Sequence, residues 1–599
     1  MSLPRRYALS YDVEFSRSQV WELLAHTDRL NRQIGLAPVF YEESTTDEFG
    51  IYRPARARFA GLWMKWREYL FQWEQNERYT VVRRYAKGPI ASFEGGLELE
   101  ALGENSTRLT LWSRMGGRGP VGRILVPLIA QRFLRRSISF CQSVFIEGEP
   151  PPKPFAPPPH AREWNPSALE SGIARLRKMP IEDNYALELQ RFIAGAGEDE
   201  VAAIRPFEWA DARGLDRHQA LRTCLYAVRV GLLNLRWAMM CPNCRVSKSD
   251  VSSLAQVAET VHCELCGVNY DLNFDRYVEL RFAVHPSVRV ASSDIYCVGG
   301  PFHTPHIVEQ VTIEPGKTHS FRLQQPAPVR VRVIGFNHSM DVDEDDAGSL
   351  FTLSDAGWKA DNCADAGTDP HLCIANATGA PFAVALEKRD WDSSAVTAAR
   401  VTALQEFRDL FSSEVLAPGR QVAVENVTLF FSDLSNSTAL YEEIGDAPAY
   451  GRVGSHFDFL TRNIMEGGGA VVKTMGDAVM AVFLRPEDAV ATAIKVQQQF
   501  REVAETLSDK GEVALKIGLH CGPVLAVNSN ERLDYFGRTV NIAARAVGVS
   551  NGGDVILTGE VWNSDEVKAL VERQKLRTQQ FQTTLRGIEF SRELVRLQP

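Results

Sequence analysis

Nowhere in the 599 residues is there an unbroken run of about twenty apolar side chains, the length a bilayer core requires. The most apolar windows, VGRILVPLIAQRFL at 121–134 and LRTCLYAVRVGLLNLRWAMM at 221–240, are both interrupted by arginine, so no membrane span is expected. The opening MSLPRRYALSYDVEF has no apolar core of signal-peptide length, and a cytoplasmic location is the expectation. Positive charge is not in surplus: the net charge of -9 gives no general pull towards nucleic acid or anionic membrane, and either would need a local basic patch. Cysteine is sparse, ten in all, and in a reducing compartment metal binding or buried thiols explain these better than disulfides. Internal repeats are absent. What remains is an ordinary globular composition, 45% hydrophobic and 24% charged, in a chain long enough for about three to five domains.

Residues 1–147 begin with the strand-like YALSYDVEF and the helix-like SRSQVWELLAHTDRL, then run through alternating segments such as LWMKWREYLFQWE, RYTVVRRY and TRLTLWSRM. Period-two alternation with Tyr, Trp and Val predicts an antiparallel sheet with one wet face. The unit closes on a long amphipathic helix, GPVGRILVPLIAQRFLRRSISFCQSV. Strand, helix, curved sheet and long closing helix in that order resemble the helix-grip fold of the polyketide cyclase and START-like superfamily. The resemblance implies a cavity between sheet and helix that takes an apolar small molecule; a small α+β domain with a filled core is the alternative.

GEPPPKPFAPPPHA marks a stiff, extended linker over 148–164. The pattern from 165 onwards is helical, and Arg222, Arg229 and Arg236 at seven-residue spacing predict a helix with a thin polar stripe over 221–240. This segment runs to 274 and contains Cys241, Cys244, Cys263 and Cys266, a CxxC pair, eighteen residues and a second CxxC pair. Four thiolates at that spacing make a closed tetrahedral set for a structural Zn2+, with no open position for catalysis. A nucleic-acid-reading zinc ribbon is the rival, but RVSKSDVSSLAQVAETVH between the knuckles carries few basic residues. Cys297, His303, His306, Cys363, His371 and Cys373 lack metal-site spacing and are left as core or surface residues.

Between 275 and 392, short alternating strands separated by Gly, Pro and Asp predict an all-β sandwich. SSAVTAARVTALQEFRDLFSSEVL, 393–416, has helical spacing and predicts a connector helix within a link that ends at 423.

The last domain, 424–599, reads strand, helix, hairpin, helix, strand, a ferredoxin-like βαββαβ order with helices on one face of an antiparallel sheet and the other face free. The whole chain is thus expected to be multidomain α+β. Within VVKTMGDAVMAVF, 471–483, Lys473, Gly476 and Asp477 interrupt an apolar hairpin, and in FFSDL the carboxylate of Asp433 sits where a strand ends. If hairpin and strand are neighbours, the two carboxylates meet at one sheet end, and such hard oxygens suit Mg2+ or Mn2+ bound with substrate phosphates.

FFSDLSNSTALYEEIGD, VVKTMGDAVMAVF, LKIGLHCGPV and RLDYFGRTVNIAAR, in this order, resemble the class III adenylyl and guanylyl cyclase catalytic domain. The resemblance implies that Asp433, the backbone carbonyl of Leu434 and Asp477 hold two metal ions. It implies that Lys473 and Asp534 read adenine, that Asn541 orients the ribose, and that Arg545 stabilises charge on the α-phosphoryl group. Arg586 matches a position usually held by a phosphate-binding lysine, a change that keeps the charge and alters the geometry. DLSNST stands where many members have DIxGFT, with Thr438 retained.

The family's active site is shared across a two-fold dimer, so the expectation is a homodimeric adenylate cyclase acting on ATP and regulated by its N-terminal domains. The zinc-ribbon and β regions also resemble a segment that accompanies some bacterial cyclases. A guanylate or less selective cyclase, or a catalytically silent nucleotide- or lipid-binding scaffold, are the alternatives.

Overall fold

The computed structural model describes residues 4–599 except 60, 147–163, 264–265, 267, 292–293, 324–328, 336–337, 344–345, 347, 363–370, 436–441, 443–444, 508–512 and 589–590. The proline-rich linker therefore lies, apart from Trp164, outside the described residues, as do Thr438 and Cys363.

At the N-terminus, strand Arg5–Val13 pairs antiparallel with Ser106–Gly117, and the sheet continues through Ile90–Gly103, Arg78–Tyr85 and Gln72–Glu74. Ser16 starts the first helix, Arg17–Leu24, with a reciprocal cap: the Gln19 amide donates to Ser16 Oγ at 3.4 Å, and the Ser16 amide donates to Gln19 Oε1 at 2.9 Å. The single helix expected over 16–30 is two, because His26 Nδ1 accepts from the Arg29 amide at 3.3 Å and opens a second helix, Thr27–Gln33. The long helix Gly119–Val144 lays Val126, Ala130, Leu134, Ser137 and Cys141, three or four apart, on the sheet.

The β-rich region is not a separate sandwich. Strand Ile307–Ile313 pairs with Gln72–Glu74, so the N-terminal sheet runs on into Phe382–Lys388, Val329–Val333 and His338–Val342. Joining the two edges satisfies backbone groups that would otherwise lie bare, a non-local pairing that alternation within either segment cannot reveal. A second, four-stranded sheet faces this extension across a core that includes Phe321, Val331, Leu372 and Val384.

The arginine-striped helix expected over 221–240 is a helix, Arg217–Arg229, followed by a strand, Leu233–Met240. Gly231, at φ +78°, makes the turn between them, and beyond it Leu233, Leu235 and Trp237 are buried in alternation. Arg236 therefore belongs to a strand. That strand pairs with Ser247–Val251 and Val278–Val284, so the boundary drawn at 274/275 cuts through one sheet.

The connector helix expected over 393–416 is two short helices, Ala398–Thr402 and Gln405–Leu410. They are wedged between the central sheet and the last domain: the Leu280 amide donates to Val396 O at 2.7 Å and the Ala399 amide to Phe274 O at 2.9 Å. Enclosure on several sides, with Ala398, Val401, Ala403 and Phe407 buried, replaces the one wet face of an amphipathic helix.

The last domain follows the βαββαβ order: Gln421–Leu434, helix Asp446–Glu466, hairpin Ala470–Met475 and Ala478–Phe483, helix Pro486–Leu507, and Leu515–Ser529. The two helices pack on one face against Phe430, Ala481, Phe483 and Leu519. The opposite face, expected free, is covered where Leu429, Phe431, Val472, Met480 and Val482 join Ala398, Val401, Leu404 and Phe407 in one core.

Candidate active site

Strand register brings the two acidic segments together. Ser432 stands opposite Val479, so Asp433 reaches the start of the second hairpin strand, and Asp477 lies in the turn beside it. Gly476 has φ +63°, a conformation side chains resist, and this closes the turn that presents Asp477. Burial and the negative charge of Asp477 push the Asp433 carboxyl above its usual range, partly offset by Lys516, its cross-strand neighbour. Asp477 Oδ2 is buried and has no hydrogen-bond partner among the described residues. Two carboxylates thus meet at one sheet end, one of them with a buried oxygen that lacks a donor among the described residues, and hard oxygens of this kind suit a divalent cation. Leu434 is buried at the strand end, opposite Leu515 on the neighbouring strand.

One further residue belongs to this end. His456, on helix Asp446–Glu466, is fully buried, and neither ring nitrogen has a partner among the described residues. Burial pushes its pKa down to about 4, opposed by the charge of Asp477. A single histidine in SHFDFL gives no spacing from which its proximity to Asp477 could be read.

The second cluster lies on other strands. Lys473 Nζ is 2.6 Å from Asp534 Oδ2, although sixty-one residues separate them in the chain. The Asp534 carboxylate is nearly buried, and its other oxygen accepts from the Tyr535 amide at 2.8 Å. The Lys473 ammonium is half-exposed and stands 5.6 Å from the ring centre of Phe536, which is itself exposed. Asn541 and Arg545 are both exposed on helix Arg538–Val547, which buries Thr539, Ile542, Ala543 and Ala546. Four residues apart, they share a helix face. Arg586 is exposed in the turn after strand Arg577–Thr584.

The strands that carry Lys473 and Asp534 are both tied to the connector. The Val471 amide donates to Gln405 Oε1 at 2.7 Å. Arg408 Nη1 donates to Leu533 O at 3.0 Å, Arg408 Nε donates to Thr402 O at 2.7 Å, and the Thr402 and Tyr535 hydroxyls are 3.3 Å apart.

Far from these groups, the four cysteines converge. Their sulfurs all lie within 4.8 Å of one another and are buried; Cys241 and Cys266 are 3.9 Å apart, and Cys244 and Cys263 3.8 Å. Four sulfurs bound at about 2.3 Å to a tetrahedral zinc stand about 3.8 Å apart, whereas a disulfide would bring two of them to about 2 Å. The Cys266 amide donates to Cys263 Sγ at 3.3 Å and the Asn243 amide to Cys241 Sγ at 3.4 Å, contacts that favour thiolates. Among the described residues no other His, Cys, Asp or Glu group forms such a cluster, and Cys297 and His306 instead bond to Thr27 and the Asn243 carbonyl.

On the N-terminal side, a partly open space lies beside Phe71, Trp73, Ile307, Ile334 and Cys266 rather than between the sheet and the long helix. At about 50 Å³ it is smaller than the several hundred Å³ typical of a small-molecule pocket.

Comparison with known proteins divides the chain. Residues 420–590 match the family model of the adenylate and guanylate cyclase catalytic domain, and residues 169–295 match a family of unknown function. An adenylate cyclase of Lachancea kluyveri is 32% identical over 154 residues, 22% of this chain and 8% of that protein. Adenylate cyclase 2 of Rhizobium meliloti is 32% identical over 155 residues, 24% of this chain and 42% of that protein. The chain thus spans under half the length of either relative. The crystal structure of the adenylyl cyclase CyaB from P. aeruginosa aligns at 20% identity over 30% of this chain and 95% of its own, with a TM-score of 0.26. The C-terminal segment of the chain therefore carries a class III adenylate and guanylate cyclase catalytic domain.

Proposed function

We propose that the protein is an adenylate cyclase that converts ATP to 3',5'-cyclic AMP and pyrophosphate at sites shared between two copies of the chain. The observation that carries this reading is the convergence of Asp433 and the unpartnered Asp477 oxygen at one sheet end, within a segment that matches the cyclase family. Asp433, Asp477 and the Leu434 carbonyl would hold two Mg2+ or Mn2+ ions. When bound, such ions make the ribose 3'-hydroxyl a better nucleophile and neutralise the triphosphate and the departing pyrophosphate.

The remaining residues bind and orient. Lys473 donates to a ring nitrogen of adenine and Asp534 accepts from its exocyclic amine. Guanine offers a carbonyl at that place, which an ionised carboxylate opposes, so the pair favours ATP. Their mutual contact at 2.6 Å supports this assignment, because it puts the donor and the acceptor within reach of one flat base. Asn541 orients the ribose, Arg545 stabilises charge that builds on the α-phosphoryl group, and Arg586 binds phosphate. In an isologous dimer, the carboxylates of one chain face the base-reading and Asn/Arg residues of the other, giving two equivalent sites.

A structural Zn2+ in the four-cysteine cluster would staple the central region. Regulation from the N-terminal half would reach the site through 398–410, because that segment bonds to both base-reading strands. The deciding experiment is product analysis after incubation with equimolar ATP, GTP, CTP and UTP and Mn2+: cyclic AMP should dominate. Cyclic GTP-derived product in excess would favour a guanylate cyclase, and no pyrophosphate from any nucleotide would favour a silent scaffold.

A further inference from the structure

Helix Gly119–Val144 has two apolar stripes, and only one of them is used. Val126, Ala130 and Leu134 face the sheet, while Val121, Ile124, Leu125 and Leu128 point away at spacings of three and four, with Ile124 69% and Leu128 61% exposed. A helix that served only to cover a sheet would carry polar residues there. The outward stripe continues into Arg132 and Arg135, both exposed, and the helix contains four arginines and no acidic residue in a chain of net charge -9.

A second exposed apolar feature lies beside the start of this helix. In the hairpin of strands Gly50–Phe59 and Leu62–Tyr69, Leu62 is 74% and Trp63 53% exposed, and the Arg56 guanidinium stands 5.4 Å from the Trp63 ring centre. The 85–89 loop joins the two features. Its Ala86 amide donates to Lys65 O at 3.2 Å, while Arg118, at the helix N-cap, donates to Tyr85 O at 2.6 Å and Ala86 O at 3.1 Å. The first helical turn touches the same loop so closely that a Cβ on Gly122 would stand 2.3 Å from Pro89 O.

We propose that this face, the outward stripe of the helix together with Leu62 and Trp63, docks on an anionic lipid surface. An apolar face that enters the acyl boundary, an amphipathic tryptophan at headgroup depth and arginines for lipid phosphates are the chemistry such a surface selects. Charge argues against a second copy as the occupant: a two-fold pairing of this helix would bring arginines together with no helix carboxylate to meet them. The docking is independent of the catalytic reading and does not require a spanning helix; among the described residues no helix is long and apolar enough to cross a membrane.

The test is flotation of the full-length protein with vesicles of phosphatidylcholine, alone or with phosphatidylserine, at low and high salt. The protein should float with the phosphatidylserine vesicles at low salt, and high salt should release most of it. Leu128→Asp should lower the bound fraction by at least about tenfold, and Arg132→Gln with Arg135→Gln by about three- to tenfold, with unchanged melting temperatures. The arginine variant, which touches no core, keeps the test decisive if Leu128→Asp misfolds. Two results would overturn the proposal: wild-type protein that stays with the soluble fraction, or Leu128→Asp that instead dissociates a dimer. A nucleic-acid duplex that competes equally with the vesicles would do so too, assigning the face to polyanions in general.

Discussion

The carboxylate end and the Lys473–Asp534 end of the catalytic domain share one hairpin but are balanced in opposite ways. Burial and then the Asp477 charge, only partly offset by Lys516, push the Asp433 carboxyl up, and a buried Asp477 oxygen has no donor among the described residues. Lys473 and Asp534 neutralise each other at 2.6 Å and rest on strands bonded to the connector. On the proposed function, a divalent cation would bind at the first end, and the self-satisfied pair at the second would have to share its hydrogen bonds with a base. Metal dependence should therefore belong to one end and nucleotide selectivity to the other.

The largest effect expected of a single change is at the first end. Asp477→Asn should reduce pyrophosphate release about a thousandfold or more, and Mn2+, which should raise the melting temperature of the wild type, should no longer do so. A variant that retains Mn2+-dependent activity would break the distinction between the two ends. Next comes the second end: Asp534→Asn, which replaces an acceptor-only group with one that also donates, should shift the ATP-to-GTP preference by about ten- to a hundredfold while the Mn2+ dependence stays as it was. Competition between the two nucleotides at fixed Mn2+ reads this directly.

Away from both ends, Cys263→Ser should abolish stoichiometric zinc binding, measured by metal analysis, and lower the unfolding free energy of the central region by about several kcal/mol. The smallest change is expected from Arg408→Ala, which removes the donor to Leu533 O and contact with the Tyr535 ring. It should cost about 1–2 kcal/mol, seen as a several-fold rise in KM for ATP with little change in kcat. Equal changes in both constants would mean that the connector acts on the metal end as well.

Which parts could be read from the chain follows the same physical division. Asp433, Lys473 and Asp477 stand out because charge inside apolar strands is rare, and the motifs around them retain their family spacing. The four cysteines stand out because their spacing is itself the geometry of a ligand set. The helix expected over 221–240 failed at Gly231: arginines seven apart fit a helix stripe, yet Arg236 occupies a strand in which period two governs burial. The connector failed because its polar residues, Gln405 and Arg408, are used on backbone groups of strands far along the chain and do not form a solvent face. Edge pairing of Gln72–Glu74 with Ile307–Ile313 joins segments more than two hundred residues apart and leaves no local pattern. His456 is a lone residue whose neighbour becomes evident only when helix and hairpin are folded together.

The most direct test of the central claim is to mix inactive Lys473→Ala and Asp477→Ala chains. If the two ends of each active site come from different chains, half of the randomly formed dimers are mixed and each carries one intact site, so about a quarter of wild-type activity should return. Mixed dimers shown to form by differential tagging, but without recovered cyclic AMP synthesis, would contradict the shared site.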